Sequence, residues 1–259
     1  MVADNLKDFT SDLAFPQFEV ASRLKLLVLV FGYSIQIFSD FAGYSLIAQG
    51  LGAMFGYTLP ANFNFPYIAN SLGDFWRRWH ISLSSWLRSY LYFPLGGNRH
   101  GEWRTYFNLF AVMVLGGLWH GAAWSFAVWG LYHGVGLACE RYAADRIPKN
   151  VGVPDWAGRP LVFVFVTAGW LLFKLSNFRD VARFISCLIH PKVADSGDAK
   201  YALAGIGLLS APVVAYHLGA LLPGFGAALR RREGLVHGVM LALILVAQGL
   251  PGSFIYFQF

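Results

Sequence analysis

Two apolar runs, Leu24–Tyr57 and Tyr106–Cys139, each extend for 34 residues. At a helical rise of 1.5 Å per residue, a run that long measures about 50 Å, against a bilayer hydrocarbon core of about 30 Å. In water, such runs would have to be covered on every side by the rest of the chain. The rest of the chain cannot do this. Hydrophobic residues make up 56% of the sequence and charged residues only 13%, about half the charged share of a soluble domain. The solvent for most of the chain is lipid, where backbone polar groups must be satisfied inside helices or closed barrels. Runs of this length call for helices. The expected fold class is all-α: a polytopic integral membrane protein, with a multi-helix bundle that includes interfacial and broken or re-entrant helices.

The first long run is interrupted by SDFAGYS (Ser39–Ser45), and its excess length predicts a bend or break near Asp40 and Gly43. LPANFNFPY (Leu59–Tyr67) reads as a Pro/Asn loop. The stretch Asp74–Phe93 mixes Trp76, Trp79, Trp86, Tyr90 and Tyr92 with Arg77, Arg78 and Arg88. Amphipathic rings and snorkelling arginines belong at headgroup level, so this reads as an interfacial helix. PLGGNRHGEWR (Pro94–Arg104) reads as a turn. The second long run is basic on both flanks, with Arg99 and Arg104 before it and Arg141, Arg146, Lys149 and Arg159 after it. If both flanks are cytoplasmic, the run enters and returns on one side. Its length is too short for two spans of about 20 residues each. A broken or re-entrant pair turning near GGLWHG follows, with His120 at the bottom of a cavity.

Three further apolar runs, Leu161–Leu175, Tyr201–Leu222 and Leu235–Phe257, complete the chain. Arg230, Arg231 and Arg232 mark a cytoplasmic loop, which places the polar loop Ser176–Lys200 on the far side. Residues 1–22 read as a polar segment outside the bilayer, without the basic-then-apolar pattern of a signal peptide. No internal repeat or second soluble domain is visible, so residues 1–259 are expected to form a single domain.

The net charge of +6 sits in short clusters between apolar runs, where the positive-inside rule accounts for it, so no nucleic-acid partner is expected. Cys139 and Cys187 have no metal or redox spacing and read as small packing residues. No His pair has the i,i+4 spacing of a helical zinc site, and no metal is expected.

The remaining chemistry lies in GGLWHGAAWSFAVWGLYHG (Gly116–Gly134), an apolar stretch that holds His120 and His133. An ionisable side chain in lipid is costly and marks a functional candidate. The plainer alternative is interhelical hydrogen bonding. Glycines on both sides of His120 permit close approach, and Trp119 and Trp124 offer flat walls. An imidazole near its ordinary pKa suits proton abstraction from a hydroxyl. For His133 the packing alternative is stronger. His80, beside Trp79 and two arginines, reads on residue type alone as a headgroup-facing polar group. Arg77, Arg78 and Arg88 read as membrane anchors.

Taken together, ANFNFPYIANSLGDFWRRWHISLSSWLRSYLYFPLGGNRHGEWR (Ala61–Arg104) and the Gly116–Gly134 segment resemble the membrane-bound O-acyltransferase family, in its bacterial alginate O-acetyltransferase branch. VADNL (Val2–Leu6) and FSDFAGYS (Phe38–Ser45) add to the likeness. It is dense over residues 2–141 and thin beyond. The resemblance implies an all-helical membrane domain around a tunnel or funnel, with the N-terminal helices of the family absent from this chain. It implies that His120 is catalytic, that His80 lies near the acyl-transfer path, and that His133, Trp119 and Trp79 support them. Branch members usually carry Asp where this chain has Leu46 and Ser89.

The function so implied is O-acyl transfer, with acetyl passing from a cytoplasmic thioester such as acetyl-CoA toward the hydroxyls of an alginate-like exopolysaccharide. His120 would be general base, His80 would orient the donor or stabilise charge, and Arg77, Arg78 and Arg88 would meet donor phosphates. No cofactor is expected to stay bound. Implied partners are membrane lipids, the acyl donor, the polysaccharide or a periplasmic acetyltransferase, and the missing N-terminal half. The implied location is the inner membrane, with several passes. A catalytically impaired scaffold that docks a periplasmic acetyltransferase is the main alternative. A transporter subunit is a weaker one, because Asp40 is the only evident acidic residue within an apolar run.

Overall fold

The computed structural model describes residues 1–147, 153–194 and 197–247, and these are almost entirely helical. Lys149, and the last apolar run beyond Ala247, lie outside the described residues. The described residues divide into two compact units: Met1–Tyr44 together with those from Arg179 to Ala247, and those within Ser45–Phe178.

The first unit begins with α1 (Val2–Thr10), whose Leu6 is buried and whose Phe9 ring lies 5.8 Å from that of Tyr201. Helix α2 (Arg23–Met54) follows. The break expected near Asp40 and Gly43 is absent, and α2 is helical throughout. The Ser39 hydroxyl donates back to the Ile35 carbonyl at 2.7 Å, so the polar interruption is satisfied inside the helix. Gly43 stays helical at a cost of about 1 kcal/mol.

At the head of α2, the Arg23 guanidinium donates to the carbonyls of Leu188 and Ile189, capping α8 (Phe178–Ile189). Lys25 pairs with Asp12 at 2.8 Å and Asp198 at 3.0 Å, tying in the start of α9 (Gly197–Leu221). The expected polar loop Ser176–Lys200 therefore contains an amphipathic helix, α8, which buries Phe184 and Cys187. Two more helices, α10 (Pro223–Arg231) and α11 (Glu233–Val246), complete the unit, and Arg230 and Arg231 end α10 instead of lying in a loop.

The second unit holds α3 (Leu72–Arg78), α4 (Ile81–Leu87), a π-turn at Arg88–Tyr92, α5 (Gly101–His120), α6 (Trp124–Arg146) and α7 (Asp155–Lys174). Helices α2, α7 and α9 are long and apolar enough to cross a membrane.

Helices α5 and α6 form a hairpin that turns at Gly121–Ala123, directly after His120, as the glycine-flanked motif predicts. They are 20 and 23 residues long, more than the apolar run allowed, because Gly101–Arg104 and Arg141–Arg146 are helical too. In lipid the hydrophobic effect does not drive helices together, so close packing must. Here it is close enough to exclude side chains. A Cβ on Gly117 would stand 2.2 Å from the Phe126 carbonyl oxygen, and one on Gly130 would stand 2.2 Å from that of Met113. The buried Asn108 of α5 donates to the carbonyls of Leu95 and Gly97, which fixes the Pro94–His100 turn.

Candidate functional site

The expected single interfacial helix over Asp74–Phe93 is two short helices, broken at Trp79 and His80. No glycine or proline causes the break. The preceding loop imposes it: Phe63 pairs with Trp79 as an antiparallel bridge, Asn64 N–H donates to the Arg78 carbonyl at 3.0 Å, and Ile81 N–H donates to the Asn62 carbonyl at 3.0 Å. His80 is left at φ 44°, a left-handed conformation uncommon for a residue with a Cβ. Backbone held there by its surroundings is characteristic of functional sites.

Helix α3 is fastened at its other end. Glu140 of α6 accepts from the backbone N–H of Leu72 and, at 3.0 Å, of Gly73, while the Ser71 hydroxyl accepts from Asp74 N–H at 3.0 Å. These bonds satisfy the helix's opening donors.

The break turns Trp79 inward. It is 1% exposed, not at headgroup level, and it stacks on Phe75 and packs at 5.2 Å against Trp170 of α7. Further along, Trp86 and Tyr90 are exposed. His80 is buried, not headgroup-facing. Segments of seven residues cannot span a bilayer, and burial among protein groups lowers the His80 pKa from 6.5 to about 4, which keeps the ring neutral at physiological pH.

His120 closes α5 among the rings of Trp119, Trp129 and Phe173, with centroids 5.1, 5.4 and 5.2 Å away. Trp119 also packs on His80 at 5.9 Å, so one indole touches both imidazoles. Its ring is 57% exposed. His133 is fully buried between Trp76, Trp129, Tyr132 and Phe165, and Gly169 of α7 packs against its Nε2. Trp129 touches both His133 and His120.

A cavity of about 330 Å³ lies against α5, lined along that helix by Leu109, Val112, Met113, Gly116 and His120. These lining positions, Leu109 to His120, span about 17 Å of helix α5. The opposite wall is Leu83, Ser84, Leu87 and Arg88, and Trp76 and Trp129 complete it near His120. Tyr92 and Asn98, joined by a 3.3 Å hydrogen bond, belong to the Leu109 end, because Asn108 holds the adjoining Gly97. The walls are mostly apolar, with polar groups concentrated in His120, Arg88, Tyr92 and Asn98.

The three candidate arginines separate. Arg88 lines the cavity and sits over the Phe93 ring at 5.2 Å. Arg78 is bound to Asp74 at 2.8 Å and to the Asn64 carbonyl, and Arg77 faces the same carboxylate at 3.4 Å. Neither of these two lines the cavity. His80, Trp79 and Trp119 stand behind it, in contact with its wall.

Sequence reasoning missed Asn62, Trp129 and Glu140. A carboxylate at the end of a glycine- and tryptophan-rich helix was a signal for Glu140. Nothing local pointed to Asn62.

The second unit thus holds two neighbouring histidines, buried His80 and half-buried His120, beside an apolar cavity. The model of MBOAT, the membrane-bound O-acyltransferase family, matches residues 8–178, about two thirds of the chain. The chain belongs to this family and is an integral membrane protein. "Probable alginate O-acetylase AlgI" of Pseudomonas putida is 48% identical over 157 residues, 60% of this chain and 32% of that protein. The peptidoglycan O-acetyltransferase of Helicobacter pylori is 38% identical over 190 residues, 73% of this chain and 36% of that protein. The teichoic acid D-alanyltransferase of Bacillus subtilis is 34% identical over 172 residues, 59% of this chain and 42% of that protein. The matches thus cover about a third to two fifths of these relatives' length.

Proposed function

We propose that the chain is the catalytic part of an O-acyltransferase of the inner membrane. It would move an acetyl group from a thioester donor such as acetyl-CoA toward hydroxyls of an alginate-like exopolysaccharide, directly or through a periplasmic acetyltransferase. The observation that carries this reading is the apolar cavity along α5 that has His120 in its lining. Its apolar walls suit an extended thioester arm. A sugar lying there would leave its hydroxyls unpaired, at a cost of roughly 1–3 kcal/mol each. Arg88 supplies a cation for a donor phosphate, and its place in the wall favours it over Arg77 and Arg78 for that role.

In this mechanism the acceptor oxygen attacks the acyl carbon while His120 takes the hydroxyl proton. The carbon–sulfur bond breaks, and the proton leaves with the thiol. General-base help of this kind contributes about 10²–10⁴-fold. His80, neutral and in contact with the same Trp119 indole as His120, orients the donor or stabilises the charge that develops on the carbonyl oxygen. The named activities of the relatives, each an acyl transfer onto an envelope polymer, support the reaction class. The test is His120→Gln in the full-length protein, with polysaccharide acetyl ester and protein abundance measured together. Loss of ester at normal abundance is expected. Normal acetylation would overturn the base assignment.

A further inference from the structure

Two glycines stand side by side in α5, and they face different things. A Cβ on Gly117 would strike the backbone of α6. A Cβ on Gly116 would come within 4 Å of one atom among the described residues, Leu87 Cδ1 at 3.0 Å. Gly116 and Leu87 both line the cavity, one from α5 and the other from the facing wall at the end of α4. His120 follows Gly116 one helical turn later on the same face, about 6 Å along the axis. A glycine inside a helix costs about 1 kcal/mol relative to alanine. At Gly117 the close approach of α6 explains why the cost is borne. At Gly116 no such backbone contact does. The missing Cβ instead leaves a notch in the cavity wall, and the Leu87 methyl rests in it.

We infer that Gly116 and Leu87 set the bore of the cavity one turn from His120, and that this bore admits the unbranched arm of a thioester donor. Carbon atoms in contact prefer about 3.5–4.0 Å. A methyl group at residue 116 would therefore push the Leu87 side chain out of the notch by about half an ångström or more. The open space available to that side chain is the cavity. The added methyl and the displaced one would both narrow the bore. The two residues act on what reaches the base and take no part in proton transfer. The bore stands on geometry alone, and only the identity of the arm rests on the proposed function.

The test uses the full-length protein in detergent with acetyl-CoA as donor, and reads the thermal midpoint, donor binding and transfer kinetics together. Gly116→Ala should leave the midpoint unchanged or raise it, because a flexible methyl gives way and alanine favours the helix, whereas Gly117→Ala should lower it. In Gly116→Ala the KM for acetyl-CoA should rise about 10-fold with a smaller change in kcat, since a narrowed bore weakens ground-state and transition-state binding of the arm alike. Leu87→Ala removes the methyl groups that would be displaced, so the double variant should recover most of the lost affinity. A Gly116→Ala protein that melts as low as Gly117→Ala would overturn the bore. An unchanged KM, or a double variant no better than Gly116→Ala, would overturn it as well. If the midpoints move as stated while the wild type neither binds nor turns over acetyl-CoA, the bore is upheld and the donor named under the proposed function is wrong.

Discussion

Gly117→Ala puts one methyl group between α5 and α6. The added Cβ would stand 2.2 Å from the Phe126 carbonyl oxygen, 3.0 Å from its carbon and 3.2 Å from Gly130 N. A carbon needs about 3.3 Å from a carbonyl oxygen even in the closest favourable contacts. The deficit is therefore about 1 Å, and all three opposing atoms are backbone, so no rotamer change relieves it. The helices must separate or slide by about that amount. Overpacking of this kind costs about 1–3 kcal/mol, which for a chain of this size lowers the unfolding midpoint by roughly 3–10 °C. Helix α5 carries His120 and most of one cavity wall, while α6 carries Trp129. A shift of about 1 Å between them misplaces the base, and misplacement on that scale costs about 10²-fold in rate. The assay is the thermal midpoint in detergent beside acyl transfer at a temperature where the variant is folded. Gly43→Ala is the control: its Cβ meets nothing within 4 Å in α2, so it should leave the midpoint unchanged or raise it. Gly117→Ala and Gly130→Ala relieve their clashes by the same separation, so the double variant should cost less than the sum. A Gly117→Ala protein that melts and turns over like wild type would refute the close contact.

Glu140→Ala leaves two α3 donors without their acceptor and should cost about 1–2 kcal/mol in thermal denaturation, while Glu140→Gln, which keeps one acceptor oxygen, should cost less. For His80 the folded pKa, about 4, lies below the ordinary 6.5, so the stability tied to its neutral burial is full above pH 6.5 and drains as pH falls toward 4. Its NMR signals should accordingly titrate near pH 4, and a midpoint near 6.5 would contradict its burial.

The hairpin was legible because its cause is local. Glycines flank His120 and recur on α6 at Gly130 and Gly134, where small residues let backbones meet. The break at Trp79–His80 was not legible, because WRRWHIS contains no residue that ends a helix. The break comes from Asn62 and Asn64, more than a dozen residues upstream, and only the folded chain brings them alongside. The same distance hid the inward turn of Trp79, whose composition matched an interfacial ring. The expected break in α2 failed for the opposite reason: Ser39 and Gly43 resemble an interruption, yet a back-bonded hydroxyl and one tolerated glycine leave the helix continuous. Helix α8 was lost in a polar loop because it is only 12 residues long and Arg179, Asp180 and Arg183 interrupt its apolar positions, which leaves no run of spanning length. Leu46 and Ser89, where the resemblance leads one to expect aspartate, are both exposed.

His80 and His120 reach the site by separate devices, the Asn62–Asn64 loop pairing for one and the glycine contact of α5 with α6 for the other. Trp119 is the ring that touches both, at 5.9 and 5.1 Å. This separation makes the partnership measurable. His80→Gln removes the first imidazole and leaves the glycine contact in place, whereas Gly117→Ala shifts the second and leaves the Asn62–Asn64 pairing in place. Distant, independent changes add within about 0.5 kcal/mol, whereas residues that act as a unit are strongly non-additive. If the two imidazoles serve one transition state, the double variant should lose far less transfer activity than the product of the single losses, while its thermal destabilisation stays close to the sum. Activity losses that simply multiply would mean that the histidines contribute independently, and His80 would then be better described as a donor-orienting group than as a partner of the base.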